Sequence, residues 1–291
     1  MKYWKRCAAA GLLAMSFVGV AQAAAPLGPA ALRARHAGMA QQLAQNAFGG
    51  PVVLQSQEAS RRIEGDVYAV LDHPFESVRG ALSDPGRWCE ILMLHLNTKH
   101  CRRADGVDGP RVEVRVGKKE PQAVSSATLL AFGWKAPVTR ADYLSVQMDA
   151  VDGPYDTRDY QLMAEAVPLE GGRTFLHMGY ALSHGAASEI AMKVYLGTKG
   201  QDKVGFTRTK AGDDGFVGGM RGVVERNTMR YYLAIDAYLD SLSLPGEQQV
   251  EKRLQAWFDA TEKYPRQLRE VGREDYLRMK RAELLRLTAA R

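Results

Sequence analysis

Residues Gly218–Leu244 read GGMRGVVERNTMRYYLAIDAYLDSLSL. Val217, Met220, Val224, Tyr231, Ile235, Tyr238 and Leu242 recur at helical spacing, so the stretch forms a long helix with one apolar stripe. Pro245-Gly246 ends it. Glycines crowd its start (Gly212, Gly215, Gly218, Gly219, Gly222), where larger side chains would hold backbone or ligand away. A helix N-terminus offers free N–H groups to an anion. Asp213 and Asp214 oppose that use and favour a hinge or close packing.

Upstream of this helix the pattern is one of strands. Ile63, Gly65, Val67, Ala69 and Leu71 alternate with more polar neighbours, as do Val112, Val114 and Val116. Leu129, Leu130, Phe132 and Trp134 mark an apolar strand in Thr128–Trp134. Further strands carry Leu144, Val146, Met148 and Ala150, then Tyr160, Leu162, Ala164 and Ala166, then Leu176, Met178, Tyr180 and Leu182. Turns at Gly153–Asp156 and Gly171-Gly172 join the later ones, which predicts an antiparallel sheet rather than a parallel nucleotide-binding one. Phe75, Val78, Ala81 and Leu82 form a helix finished by Asp84-Pro85-Gly86. Helices are also expected over Leu32–Phe48, over Ser188–Leu196 with Ser188 as N-cap, and after Pro245. Gly197–Gly215 reads as a loop holding one short strand, Val204–Thr207.

The N-terminus has the form of a secretory signal. Lys2, Lys5 and Arg6 precede an apolar run, Ala8–Val20, and Ala21-Gln22-Ala23 forms a cleavage site. The run is too short to span a bilayer, so an exported, periplasmic chain is expected. Removing residues 1–23 leaves 36 basic against 33 acidic residues, a net +3 that gives little reason to expect a nucleic-acid partner. Residues 263–291 hold nine basic and four acidic residues, a candidate contact for an anionic membrane surface or a solvated helix face. Cys89 and Cys101 remain after export and are expected to form a disulfide, stabilising by roughly 3 kcal/mol in the chain-entropy model.

Motifs for chemistry are scarce. No G-x-S-x-G, H-E-x-x-H, P-loop or G-x-G-x-x-G occurs, and no histidine or cysteine pair has zinc spacing, so no cofactor or metal is expected. His36, His73, His95, His100, His177 and His184 are single histidines. His177, between apolar Leu176 and Met178, either polarises a ligand oxygen or serves as a hydrogen-bonded wall residue. Glu113 and Arg115 share one face of a strand, paired within a cavity or simply solvated.

The order of elements resembles the START-like helix-grip superfamily. The opening segment Asp66–Cys101, DVYAVLDHPFESVRGALSDPGRWCEILMLHLNTKHC, is similar to the strand and P-x-x-V-x-x-x-L-x-D helix of such domains. The resemblance covers about residues 60–244. It implies an α+β fold, a curved antiparallel sheet gripping a long C-terminal helix around a hydrophobic tunnel. The domain then spans 51–245, with an N-terminal helix in 24–50 and a helical extension in 246–291. The tunnel wall is expected from Trp88, Leu130, Phe132, Trp134, Val146, Met148, Tyr160, Met178, Tyr180, Met220, Val224 and Tyr231. Polar candidates are Glu113, Arg115 and His177. Members of the superfamily mostly carry lipids or other hydrophobic molecules, and some are cyclases or hydratases. Absent catalytic motifs favour a binding protein with a hydrophobic small molecule or lipid as its partner. A cyclase-type enzyme using His177 or Glu113, or an envelope scaffold docking through its C-terminal helices, is the alternative.

Overall fold

A computed structural model describes residues 25–190, 203–209 and 215–289. The expected signal segment and most of the Gly197–Gly215 loop lie outside the described residues. The strands are β1 (Val52–Ala59), β2 (Arg62–Leu71), β3 (Thr98–Gly106), β4 (Gly109–Val116), β5 (Thr128–Trp134), β6 (Val138–Arg140), β7 (Tyr143–Asp152), β8 (Thr157–Leu169) and β9 (Arg173–His184). They form one sheet in the order β1-β2-β9-β8-β7-β5-β4-β3, with β6 on β7 and every pairing antiparallel. Pairing of β2 with β9 joins the start of the sheet to its end.

Alternation along the strands gives the sheet two differently covered faces. Inward residues such as Ile63, Val67, Val112, Leu130, Leu162, Leu176 and Met178 belong to the main core. That face receives the long helix, numbered α5 after four earlier ones, Gly219–Ser241. Gly65 of β2 makes the contact close: a Cβ there would stand 2.5 Å from Thr228 Oγ1 and 3.0 Å from Val224 Cγ1. On the outer face Tyr68, Tyr143, Val167 and Phe175 pack beneath α1 (Pro29–Gly38) and α2 (Ala40–Ala44) through Leu32, Met39 and Leu43. These two helices replace the single one expected over Leu32–Phe48, with Met39 between them.

The Asp84-Pro85-Gly86 signal ends one helix and begins the next. Between β2 and β3, α3 (Phe75–Leu82) is followed by α4 (Pro85–Leu92). The Asp84 carboxylate accepts from Gly86 N at 2.6 Å, and Pro85 takes the first helical position, where no N–H is needed. Cys89 of α4 bridges Cys101 of β3, tying that corner to the sheet edge.

Behind α5 lie α6 (Gly246–Glu262), α7 (Pro265–Leu268) and α8 (Arg273–Ala289). The tail is anchored, with a fully buried ion triad at its centre. Glu283 accepts from Lys99 Nζ at 3.0 Å and Lys280 Nζ at 2.6 Å. Each amine spends its remaining hydrogens on further acceptors: Leu96 O and Met279 Sδ for Lys99, His95 O and Thr98 O for Lys280. Arg269, Arg273, Arg278 and Arg281 pair with Glu262, Asp259, Asp275 and Glu251. Much of the positive charge of residues 263–291 is thus matched within the chain.

Two local expectations are corrected. Ser188 lies within a helical stretch at 186–190 rather than at its N-cap and donates its hydroxyl to Tyr155 O, while residues 191–196 of the expected helix lie outside the described residues. Val204–Thr207 is not a strand but ends in a bend at Phe206 and Thr207, bonded by Gly205 N to Val217 O (2.7 Å) and by Val217 N to Thr207 O (2.9 Å).

Candidate functional site

A ladder of rings crosses the inner face. Phe132 of β5 meets Tyr160 of β8 at 6.4 Å between centroids, and Tyr160 meets Tyr180 of β9 at 6.2 Å. Tyr180 meets Tyr231 of α5 at 5.3 Å, and Tyr231 meets His95 at 5.1 Å. Inward register on three strands and the stripe of α5 bring these residues together, although 136 positions separate His95 from Tyr231. Tyr231 and Met220 are half-buried, whereas Trp88, Val146, Met148, Met178 and Val224 are sealed into the core. Leu130, Phe132 and Trp134 complete the β5 edge, with Trp134 edge-on to Trp88 at 6.5 Å.

Polar groups punctuate the ladder. The Tyr160 hydroxyl lies 2.7 Å from Thr157 Oγ1. His95 Nδ1 accepts from Asn97 N at 3.1 Å, which assigns its ring hydrogen to Nε2, 3.3 Å from Asn227 Oδ1. Burial, then the charges of Arg230 and Lys280, hold His95 well below the usual histidine range, so the ring is neutral. Burial and the neighbouring Tyr160 and Tyr231 phenols push Tyr180 well above the usual tyrosine range, with Asn227 acting in the opposite direction. Burial likewise raises Tyr231. Both phenols stay protonated at neutral pH and are hydrogen-bond donors. The Tyr180 hydroxyl is engaged by the Asn227 side chain, one helical turn before Tyr231.

The three polar candidates are on the other face of the sheet. Val112 and Val114 point inward, so Glu113 and Arg115 point out; Glu113 accepts from Arg102 Nε at 2.8 Å and Arg115 donates to Ala127 O at 3.1 Å. Leu176 and Met178 point inward, so His177 points out beneath the N-terminal helices. It stacks on Tyr68 at 4.2 Å, with Nε2 2.8 Å from Asp66 Oδ1 and Nδ1 2.8 Å from Glu165 Oε1. Glu165 also accepts from Leu27 N, Gly28 N and Tyr143 Oη. Burial alone would lower the His177 pKa, but its two carboxylates raise it above the ordinary value. The cluster is a clamp on the N-terminal segment.

Sequence reasoning did not single out Asn227 or assign His95 a role. Asn227 stands one helical turn before Tyr231, so the four-residue spacing alone places it beside the ladder. Of the glycines at the start of α5, Gly222 serves packing, since a Cβ there would stand 3.0 Å from Val217 O and 3.2 Å from Gly205 N, whereas Gly218 and Gly219 have open space around them. The place of an anion there is taken by buried Glu225, which accepts from Phe206 N and Thr207 N. Among the described residues no cluster of His, Cys, Asp and Glu could hold a metal ion, and no helix is long and apolar enough to cross a membrane.

No family model and no curated protein matches the chain. Solved structures similar to it include human StAR-related lipid transfer protein 5, at 11% identity and TM-score 0.41 over 73% of this chain and 96% of that chain. A START superfamily protein from Mycobacterium smegmatis is similar at 12% identity and TM-score 0.38, over 62% of this chain and 98% of that chain. A point mutant of norcoclaurine synthase from Thalictrum flavum is similar at 12% and 0.34, over 49% and 86%. The strand order, the paired helices between β2 and β3, and the long helix seated on the inner face make this a helix-grip α+β fold.

Proposed function

We propose that the protein is an exported carrier that holds a hydrophobic, lipid-like molecule between the inner face of its sheet and α5. The observation that carries this reading is the aromatic ladder running from Phe132 through Tyr160 and Tyr180 to Tyr231, with protonated phenols at its helix end. Rings offer apolar contact along the ligand, and the hydroxyls fix a polar end. Burying about 300 Å² of apolar surface at roughly 25 cal/mol per Å² yields about 7.5 kcal/mol, close to micromolar affinity before the costs of association. No covalent step is needed for that. The disulfide and the N-terminal signal pattern support an oxidising compartment outside the cytoplasm.

The catalytic alternative rested on His177 and Glu113, and both side chains face away from the ladder. Titrating the purified protein with a pyrene-labelled fatty acyl probe tests the carrier reading. Saturable one-to-one binding, lost in Tyr231→Arg and retained in His177→Gln, is expected. Unsaturable binding, or identical binding in Tyr231→Arg, would count against the inner face as the site.

A further inference from the structure

We propose that the inner face ends in a site for the anionic head group of an amphiphile, formed by Lys119, Lys203, Arg226 and Arg230 around Glu270. The inference rests on the carrier reading and deepens it by naming the class of ligand, an apolar body bearing an oxyanion.

The four cations come together from three parts of the chain. Arg226 and Arg230 are one turn apart on α5, and each directly precedes a ladder residue, Asn227 and Tyr231. Both arginines are buried. Arg230 Nη2 donates to Leu268 O at 3.0 Å and Glu270 Oε1 at 2.8 Å. Lys119 Nζ reaches the same Glu270 oxygen at 2.7 Å. Lys203 Nζ donates to the adjoining Arg269 O, and Arg226 Nη1 to Val204 O at 3.2 Å. The buried Arg230 Nε has no hydrogen-bond partner among the described residues. A guanidinium that is 2% exposed and leaves a donor unused is suited to a second oxyanion beside Glu270.

Electrostatics agree with this geometry. Burial lowers Lys119 to about 8; Glu270 opposes the shift, while Arg230 and Arg226 add to it. Lys203 is lowered by burial and by the same neighbours, again against Glu270. Close cations in a poorly hydrated place repel one another, and an incoming oxyanion relieves that repulsion. The cluster adjoins the ladder: Arg226 directly precedes Asn227, whose Oδ1 lies 3.3 Å from His95 Nε2, and Arg230 directly precedes Tyr231, whose ring lies 5.1 Å from that of His95. A head group at Arg230 therefore continues directly into an apolar body on the rings.

The test uses the full chain and three probes: pyrene-labelled phosphatidic acid, pyrene-labelled diacylglycerol and inorganic phosphate. Phosphatidic acid should bind about tenfold tighter than diacylglycerol or better, the effect of one charge-assisted hydrogen bond. Arg226→Gln should bring that ratio towards one. Lys119→Gln, at a partly exposed position, should reduce it in the same direction. Glu270→Gln should increase it, because the carboxylate competes with the ligand for Arg230 and Lys119. Equal affinity for the charged and neutral lipids in the unmodified protein would overturn the head-group site while leaving the carrier reading standing. Inorganic phosphate competing as strongly as phosphatidic acid would overturn the link between cluster and ladder. Absence of binding by either lipid would overturn both readings.

Discussion

Gly65 of β2 lies directly under Thr228 of α5, so that a β-carbon on Gly65 would stand 2.5 Å from the threonine hydroxyl oxygen. The helix can approach the sheet here because the strand has no side chain to displace it. Thr228 is itself fixed, its hydroxyl donating to Val224 O at 2.8 Å within the helix. Gly65→Ala should therefore lift α5 from the sheet and destabilise the protein by about 1–3 kcal/mol, as overpacking of a core does. Urea unfolding of the two proteins measures this. An unchanged midpoint would mean that helix and sheet are not held this closely.

The buried triad of Lys99, Lys280 and Glu283 makes a sharper demand on stability. Glu283→Ala leaves two buried amines without their shared carboxylate, and a loss of about 3–5 kcal/mol is expected. Arg281→Ala, removing an exposed partner of Glu251, should leave the unfolding midpoint nearly unchanged. Chemical unfolding of both variants gives the comparison.

The N-terminal clamp should respond to pH. The folded pKa of His177 lies above its unfolded value, so its contribution is fully present below about 6.5 and is lost as pH rises through the raised folded pKa. Amide exchange at Leu27 and Gly28, both bonded to Glu165, should quicken over that rise. His177→Gln should remove the pH dependence at those two amides. His73 behaves in the same sense, raised to about 9 by hydrogen bonds to Asp236 and Asp240. Its carboxylates are substantially exposed, so screening limits its effect on global stability.

Tyr231→Phe removes the phenol hydroxyl while keeping the ring that spans Tyr180 and His95. Affinity for an acyl ligand carrying a hydrogen-bond acceptor should fall about threefold to tenfold, the value of one such bond, with thermal stability unchanged or slightly raised. Tyr231→Leu should lose more, because the ring contact goes as well. Fluorescence titration with one probe distinguishes the two.

The strands and the long helix were legible in the sequence because burial on one face imposes a period that residues such as Val112–Val116 and Tyr231–Leu242 obey. The same alternation was also sufficient to point Glu113, Arg115 and His177 outward, since their neighbours are the apolar ones. What obscured this for His177 is that its outer face is buried too, under α1 and α2. A strand covered on both sides gives no polar signal for either. The Asp84-Pro85-Gly86 turn looked like a stop because the same residues start α4. The buried ions of the tail were illegible for another reason: Lys280 and Glu283 carry the composition of a solvated helix, and only packing against Lys99 at the α4–β3 corner makes them internal.

Native mass spectrometry of the protein, purified without detergent and followed by organic extraction, tests the carrier reading most directly. A single bound species of lipid mass is expected, recovered in the extract and displaced by Tyr231→Arg. Bare protein with an empty extract, and no uptake of acyl lipid on incubation with vesicles, would contradict the proposal that the space between α5 and the sheet holds a hydrophobic cargo.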